Sequence, residues 1–354
     1  MSLPAIRALK KKFPATDIYI ATKQYLSDIY LNIDEIKEII PLENQSNLKT
    51  LFKTASKLRT FGFKEGILLT NSFHSAFLFR LAGISFLTGY DKDLRGFLLR
   101  TKKPFPRDNR HYIDFYMDIA AMYCDAKGIE KWNKTDYYSN HPVITEEEKN
   151  RIENLLVSFG IDSKKPLIGI SPTAAYGTAK AWLPERFSSL IEKIITSGQL
   201  PGVQVLLLGS AGERERISKI SEPFEGKKQV FNLAGLMTLR QSMCTISICS
   251  AFIGNDSGLM HIASGMAKPV VALFGPTPPE KSKPFHQDSR VLHHKVNCAP
   301  CKDRDCHLDH ACMKAISVDE VFDALLSMLP ISAPPLSLQQ TGESIESIDK
   351  RDLS

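Results

Sequence analysis

The 354-residue sequence lacks an apolar run long enough to cross a membrane, which takes about 18 residues or more. The nearest approach, residues 67–90, is interrupted by Asn71, His74 and Arg80. The first 13 residues form a basic amphipathic pattern and lack the apolar block of a secretory signal peptide. These absences predict a cytoplasmic protein without a transmembrane segment, whose seven cysteines are reduced.

The sequence also lacks a strong charge bias and a dinucleotide-binding fingerprint. Its net charge of +6, with 43% hydrophobic and 24% charged residues, is ordinary for a globular protein and only weakly favours anionic ligands. No G-x-G-x-x-G follows any predicted strand, which disfavours a nucleotide-dependent oxidoreductase. A zinc-dependent nucleic-acid binder would rest on the net charge and one cysteine cluster alone, so no nucleic-acid partner is expected.

Strand and helix patterns alternate along the chain and predict an α/β protein. The clearest predicted strands are 17–22, 66–70, 167–171, 203–209, 247–254 and 269–274. A polar stretch at 132–142 predicts a linker between domains 1–140 and 141–330, and residues 331–354 predict a disordered tail. This alternation indicates two doubly wound, Rossmann-like sheets facing a cleft, with ligands at the carboxyl ends of the strands.

The most informative segment is 254–261, continued by 272–277. It reads as a strand, a tight polar turn and a helix opening at Gly258, so unpaired N–H groups and the helix dipole favour an anion such as a phosphate. Ser257 adds a hydroxyl donor, and His261 lies one turn into the helix on the ligand side. The structural alternative is that Asp256 only caps the helix and His261 only packs.

Several motifs in this order resemble glycosyltransferase family 9, the bacterial heptosyltransferases. The matching segments are 69–76, 171–184, 208–211, 232–235, 254–261 and 274–277. The resemblance implies a GT-B fold and an ADP-heptose donor bound by the second half. It also implies a lipid A-core acceptor at the inner membrane surface, met by the first half. Transfer is then a direct displacement with inversion, without a metal or other cofactor.

Within that resemblance, residues of the second half form the expected donor site. The turn at Pro172 and Thr173 ends a strand and can reach a diphosphate, and the Lys180 ammonium can neutralise charge on the departing ADP. Glu213, just after the strand ending at Gly209, either accepts from ribose hydroxyls or is a plain charge at a helix N-terminus. A carboxylate at Asp256 repels a diphosphate, so a cap or a sugar-hydroxyl acceptor fits it better.

The first half contains two candidates for acceptor binding. Asn71, Ser72 and His74 lie at a predicted helix start in the cleft and are the better candidate. A basic run is either a solvated loop or a second acceptor-binding surface. Its members are Arg95, Arg100, Lys102, Lys103, Arg107 and Arg110.

Four cysteines are clustered near the C-terminus. Cys298, Cys301, Cys306 and Cys312, with two histidines among them, have the density of a structural zinc site. Free or packed thiols and, last, disulfides are the alternatives.

One feature of the family pattern is missing from the sequence. The resemblance implies an apolar first strand and a Gly-Asp turn whose Asp is the general base, but Met1 aligns after that turn. We therefore expect the gene product to begin about 10–20 residues earlier. We expect the 354-residue chain to be poorly stable and to bind donor. We also expect it to transfer sugar about 10²–10⁴-fold more slowly than a chain that contains this general base. A catalytically impaired or non-catalytic nucleotide-sugar-binding protein is the alternative. An in-frame stop codon just before the Met1 codon, or full activity from the 354-residue form, would contradict an earlier start.

Overall fold

The computed structural model describes residues 1–43, 47–129, 142–173, 177–301 and 303–329. The predicted linker, apart from Pro142, and the predicted C-terminal tail lie outside the described residues. Among the helices that are described, none combines the length and apolar character that a membrane span requires.

The first half consists of parallel strands and flanking helices. β1 (Tyr19–Lys23) pairs with β2 (Glu38–Leu42), and β4 (Phe86–Asp91) lies between β3 (Glu65–Ile67) and β5 (Thr101–Pro104). The helices are α1 (Leu3–Lys12), α2 (Leu48–Arg59), α3 (Phe73–Leu81) and α4 (Tyr112–Ala126). The basic amphipathic pattern of the first 13 residues therefore corresponds to helix α1.

The strands of this half form two separate sheets in the described residues, whereas the alternation predicts one continuous sheet. Helices α1 and α4 pack against each other beside both sheets. Ile18, which precedes β1, and Ile67 of β3 contact the same apolar cluster, which includes Leu9 of α1 and Met117 of α4. Packing on these two helices therefore joins the sheets without backbone pairing between β1 and β3.

The second half has one six-stranded parallel sheet in the order β11-β10-β9-β6-β7-β8. Its strands are β6 (Leu167–Ser171), β7 (Gln204–Leu207), β8 (Val230–Asn232), β9 (Ala251–Asn255), β10 (Val270–Phe274) and β11 (Ser289–His293). Its helices are α5 (Glu146–Ser158), α6 (Pro184–Thr196), α7 (Arg214–Ser221), α8 (Leu239–Ile248), α9 (Gly258–Gly265), α10 (Pro279–Ser282), α11 (Ala311–Lys314) and α12 (Val318–Leu326). This half matches the predicted doubly wound architecture.

Both faces of this sheet are buried, which explains the continuous apolar runs of its strands. In β9, Ile253 contacts the apolar cluster on one face and Phe252 the cluster on the other. The strand predicted at 247–254 starts four residues too early, because residues 247 and 248 end α8. Periodicity alone does not separate the apolar end of a buried helix from the strand that follows it.

Arg240 of α8 joins the two halves. Its guanidinium donates two hydrogen bonds of 2.7 Å to the Glu148 carboxylate and one of 3.0 Å to the Asp28 carbonyl in the first half. It also donates to the Val143 carbonyl, while Asn32 of the first half donates to Glu148. Glu148 forms a capping box with Thr145 at the start of α5 and is also the acceptor of this inter-half contact.

Candidate active site

The candidate site lies where the strand order of the second half reverses. From β6 the chain continues to β7 and β8 on one side, then returns to β9 beside β6 and continues to β10 and β11 on the other. Ligands of open parallel sheets bind in the crevice at such a reversal, outside the carboxyl ends of the strands. Lys180 follows β6, and Asp256 directly follows β9. The topology therefore brings together two residues that are 76 positions apart in sequence.

The carboxylate of Asp256 is the centre of this arrangement. Lys180 Nζ lies 2.6 Å from Asp256 Oδ2, which also accepts a 2.9 Å hydrogen bond from the Thr277 hydroxyl. His261 Nε2 lies 3.5 Å from Asp256 Oδ1. Ser257, not Asp256, occupies the N-cap position of α9, so the prediction of Asp256 as a helix cap is wrong. Lys180 is one of the predicted donor residues, but its pairing with Asp256 is not evident from the sequence. At 2.6 Å, its ammonium offsets the negative charge with which Asp256 would otherwise repel a diphosphate.

This environment fixes the charge states of the central residues. Burial alone would raise the pKa of Asp256, but hydrogen bonds from His261 and Lys180 hold that pKa below its usual range. Burial lowers the pKa of His261 despite the neighbouring carboxylate. Asp256 is therefore ionised at neutral pH and is a weak proton acceptor, because a general base works best with a pKa near the working pH.

The start of α9 has one side-chain donor without a partner in the described part of the chain. The Ser257 hydroxyl makes no capping bond, and its buried Oγ has no hydrogen-bond partner among the described residues. Nothing lies within 4 Å of the position that a Cβ on Gly258 would occupy. A buried unpaired hydroxyl is costly unless a ligand pairs with it, and the N–H groups of a helix start favour anions. This turn can therefore receive a phosphate.

These groups open into a cavity of about 310 Å³. Tyr112 at the start of α4 comes from the first half, and the other lining residues come from the second, so the cavity lies between the halves as predicted. The lining residues are Tyr112, Lys180, Asp256, Ser257, Gly258, His261, Thr277, Pro278, Lys281 and Ser282. The predictions missed Tyr112, Thr277 and Lys281, although Thr277 ends a motif that the resemblance had already identified.

The loop that carries Lys180 is fixed by contacts on both sides. The Trp182 backbone N–H donates to Asn255 Oδ1 at the end of β9, and its indole N–H donates to the Ile316 carbonyl. Ala179 N–H donates to the Arg304 carbonyl. Gly177 has φ +151° and packs so closely on Arg304 that no Cβ fits there. Trp182 is buried and packs beneath this loop, so the folded chain sets the position of Lys180.

A second cluster of predicted donor residues lies at the ends of β6 and β7. Thr173 Oγ1 donates a 2.7 Å hydrogen bond to Glu213 Oε1, while Glu213 Oε2 accepts from the backbone and hydroxyl of Ser210. Pro172 and Gly209 adjoin these residues, and the described wall of the cavity does not include this cluster. Glu213 thus forms a capping box with Ser210 and accepts a hydrogen bond from Thr173. Its binding of the ribose hydroxyls stays a prediction.

The predicted acceptor residues form the start of α3. Ser72 is its N-cap and accepts from Ser75 N–H, and Asn71 Oδ1 accepts a 3.3 Å hydrogen bond from Arg95. His74 lies in the first turn. The described lining of the cavity comes from other residues, so acceptor binding by Asn71, Ser72 and His74 stays a prediction.

Arg95 does not belong to a solvated basic loop, and that expectation is wrong for this residue. Its side chain is fully buried. The guanidinium donates to the Tyr90 carbonyl at 2.9 Å and the Thr70 carbonyl at 2.5 Å, besides Asn71 Oδ1. Arg95 therefore ties the end of β4 to the turn that precedes α3.

We expect Arg95→Lys to destabilise the protein by about 2–4 kcal/mol, because one ammonium cannot replace a planar fork that satisfies several buried acceptors. The Asn71–Ser72 turn then loses its anchor, so KM for the acceptor rises more than KM for the donor. Denaturant unfolding and steady-state kinetics measure both effects, with the exposed Arg216→Lys in the second half as the matched control. An acceptor KM equal to that of the control would contradict the anchoring role.

The four clustered cysteines have free thiols in the structure. Burial raises the pKa of the Cys312 thiol, and the nearby Cys298, Cys306 and Cys301 act in the same direction. Over the described residues, no group of three or more His, Cys, Asp or Glu side chains is arranged to hold a metal ion. The structural zinc site therefore stays a prediction, without support from this geometry.

Zinc content is directly measurable. If Cys298, Cys301, Cys306 and Cys312 bind zinc, elemental analysis of protein purified without added metal gives about one zinc per chain, and chelation lowers its thermal stability. A folded, metal-free preparation with titratable thiols would instead show that these four cysteines are free.

Comparisons with known proteins show one family and one fold. A sequence model described as glycosyltransferase family 9 (heptosyltransferase) matches residues 51–312. The chain is 29% identical over 314 residues to lipopolysaccharide heptosyltransferase 2 of Salmonella typhimurium, covering 84% of this chain and 86% of that protein. The structure of E. coli ADP-heptose lps heptosyltransferase II matches with a TM-score of 0.76 and 26% identity, over 92% and 93% of the two chains. A family 9 glycosyl transferase from Veillonella parvula, 19% identical, shares the fold with a TM-score of 0.77 over 92% of each chain.

Proposed function

This chain belongs to glycosyltransferase family 9, the heptosyltransferases, and we propose that it transfers heptose from ADP-heptose to the inner core of lipopolysaccharide. Its similarity to lipopolysaccharide heptosyltransferases along most of its length supports this substrate pair. The same similarity disfavours the non-catalytic alternative, because these relatives are named as transferases.

One observation carries the proposal: an ammonium and the open first turn of a helix face the same cavity. Lys180 and the turn at Ser257 and Gly258 lie at the strand reversal, where a parallel sheet binds nucleotides. The paired Asp256 holds Lys180 in place before the donor arrives. A diphosphate entering this cavity meets the Lys180 ammonium, the Ser257 hydroxyl and the N–H groups at the start of α9.

The proposed reaction is a direct displacement at the anomeric carbon. The acceptor hydroxyl oxygen forms a bond to that carbon as the bond from the carbon to the ADP oxygen breaks, so the configuration inverts. ADP leaves with both electrons of the broken bond, and the hydroxyl proton of the acceptor passes to solvent. Lys180 and the N–H groups of α9 stabilise the negative charge that builds on the departing diphosphate. Asp256 positions Lys180 and can accept from a sugar hydroxyl through the oxygen that faces His261.

The acceptor enters from the first half in this proposal. Asn71, Ser72 and His74 hold the sugar of the lipid-linked core, and Tyr112 meets the donor from the opposite wall. Since the acceptor is anchored in lipid, we place the reaction at the cytoplasmic face of the inner membrane.

A transfer assay tests this function. The protein is incubated with ADP-heptose and a deacylated inner-core acceptor, and mass spectrometry with NMR follows the products. We expect ADP release, addition of one heptose and inversion at its anomeric carbon, with Lys180→Ala as the impaired control. Retention of configuration, or an equally fast reaction with UDP-glucose, would contradict the proposal.

A further inference from the structure

Three apolar side chains of the first half are exposed close to one another. Leu94 is 87% exposed, Phe97 74% and Phe73 39%. The Phe73 and Phe97 rings lie 6.2 Å apart, and Leu94 precedes Phe97 by three residues in one short segment. We name Phe73, Leu94 and Phe97 the apolar tip. Exposed residues grouped in this way are typical of an interaction surface.

The segment that carries the tip is held rigidly. Arg95, between Leu94 and Phe97, is buried and donates hydrogen bonds to the carbonyls of Tyr90 and Thr70. Asp93 and Leu94 have φ of 53° and 60°, in the left-handed region that is sterically unfavourable for leucine. Such a conformation persists only when the surrounding structure enforces it, and here it presents an apolar side chain to water.

A lysine ammonium lies beside the apolar tip. The Lys102 ammonium donates a 3.0 Å hydrogen bond to the Gly96 carbonyl, one residue from Phe97, and its side chain stays 46% exposed. Segment 92–103 has four exposed cations, Lys92, Arg100, Lys102 and Lys103, and one exposed acid, Asp93. Lys102 lies 3.6 Å from the half-buried Asp91 and Lys103 lies 3.3 Å from Asp118, so part of this positive charge is paired. An apolar surface on a segment with an excess of positive charge is complementary to anionic lipid headgroups over acyl chains.

The apolar tip adjoins the candidate acceptor residues through one anchor. Arg95 donates to Asn71 Oδ1 and, at 3.4 Å, to the Ser72 carbonyl. Phe73 directly follows Ser72 and starts α3. A surface held by Arg95 is therefore fixed relative to the residues proposed to hold the acceptor sugar.

We propose that the apolar tip docks this protein onto the surface of an anionic phospholipid membrane. Leu94 and Phe97 insert between headgroups, and the surrounding lysines contact lipid phosphates. This inference rests on the proposed function, because a lipid-anchored acceptor presents its sugar at such a surface. Docking there brings the start of α3 to the acceptor without a membrane-spanning helix.

Vesicle co-sedimentation tests the docking surface. The tip variant is Leu94→Asn with Phe97→Ser, since asparagine tolerates the left-handed conformation and both side chains point into water. The matched control is Leu48→Asn with Phe52→Ser, which removes the same side chains from an exposed position on α2. The probes are phosphatidylcholine vesicles with and without phosphatidylglycerol. We expect the native protein to bind the anionic vesicles, the tip variant to lose at least about tenfold in binding, and the control to bind normally.

Transfer kinetics separate docking from catalysis. We expect the tip variant to retain ADP affinity and activity on a deacylated acceptor, and to lose activity on acceptor embedded in anionic vesicles. Failure of the native protein to bind anionic vesicles, or equal losses in the tip variant and the control, would refute the docking surface. A native dimer that the tip substitutions dissociate, without vesicle binding, would instead assign the patch to a subunit contact. Tip-dependent binding without any transferase activity would leave the docking surface intact and remove the proposed function.

Discussion

Replacing Lys180 with alanine is expected to weaken ADP and ADP-heptose binding by about 1.5–3 kcal/mol, or roughly 10- to 150-fold, and to slow transfer. The Lys180 ammonium lies 2.6 Å from Asp256 Oδ2 in a largely buried site, so a diphosphate bound there gains a charge-assisted bond. Removing the lysine also leaves the Asp256 carboxylate facing the phosphates. Calorimetry with ADP and single-turnover transfer measure the two effects separately.

Two further variants assign the loss to the right cause. Lys219→Ala removes an exposed lysine paired with Glu215 and is expected to change nothing. In the double variant Lys180→Ala with Asp256→Asn, the repulsion between the Asp256 carboxylate and the phosphates is removed, while the Lys180 ammonium is still missing. Full recovery of ADP affinity in this double variant would show that Asp256 repulsion caused the loss. Normal affinity and turnover in Lys180→Ala would rule out any role for that lysine in donor binding.

Replacing Arg240 with methionine is expected to lower the free energy of unfolding by about 3 kcal/mol. Arg240 holds Glu148 through two charge-assisted bonds and connects the second half to Asp28 in the first. The variant leaves the Glu148 carboxylate partly buried without its cation, and it loosens the contact between the halves. Urea unfolding measures the loss. Arg151→Met, which removes an exposed pair with Glu147 on the same helix as Glu148, is expected to cost under about 0.5 kcal/mol.

The same contact makes a defined contribution to the pH dependence of stability. Hydrogen bonds from Arg240, above all, lower the pKa of Glu148 from 4.5 to about 2. Because the folded-state pKa is depressed, this stabilisation is fully present above pH 4.5 and is lost as the pH falls toward 2. Glu148→Gln removes this contribution, so the difference in unfolding free energy between the native protein and this variant shrinks across that range. A difference that does not vary with pH would contradict the assignment.

The sequence alone determined the fold of the second half and five of the ten residues that line the candidate cavity. Strands buried on both faces have continuous apolar runs, and local capping signals such as Thr145 with Glu148 mark helix starts, so both can be recognised without tertiary information. The strand-turn-helix at Asp256 to His261 was recognisable for the same reason, because its chemistry comes from consecutive residues. Lys180 was found through its motif, since nothing local distinguishes a ligand-binding lysine from a solvated one.

Only the tertiary structure decided which distant groups meet. The sequence around Asp256 favours a helix cap or a sugar-hydroxyl acceptor, and the reversal of strand order places Lys180 beside it. The sequence around Arg95 is typical of an exposed basic loop, but the carbonyls that it bonds come from the ends of two other segments. The sequence around Glu148 shows only a helix start, because its partner Arg240 lies 92 residues away. Buried charges are stabilised by partners that the fold brings together, and the spacing of residues along the chain does not encode those partners.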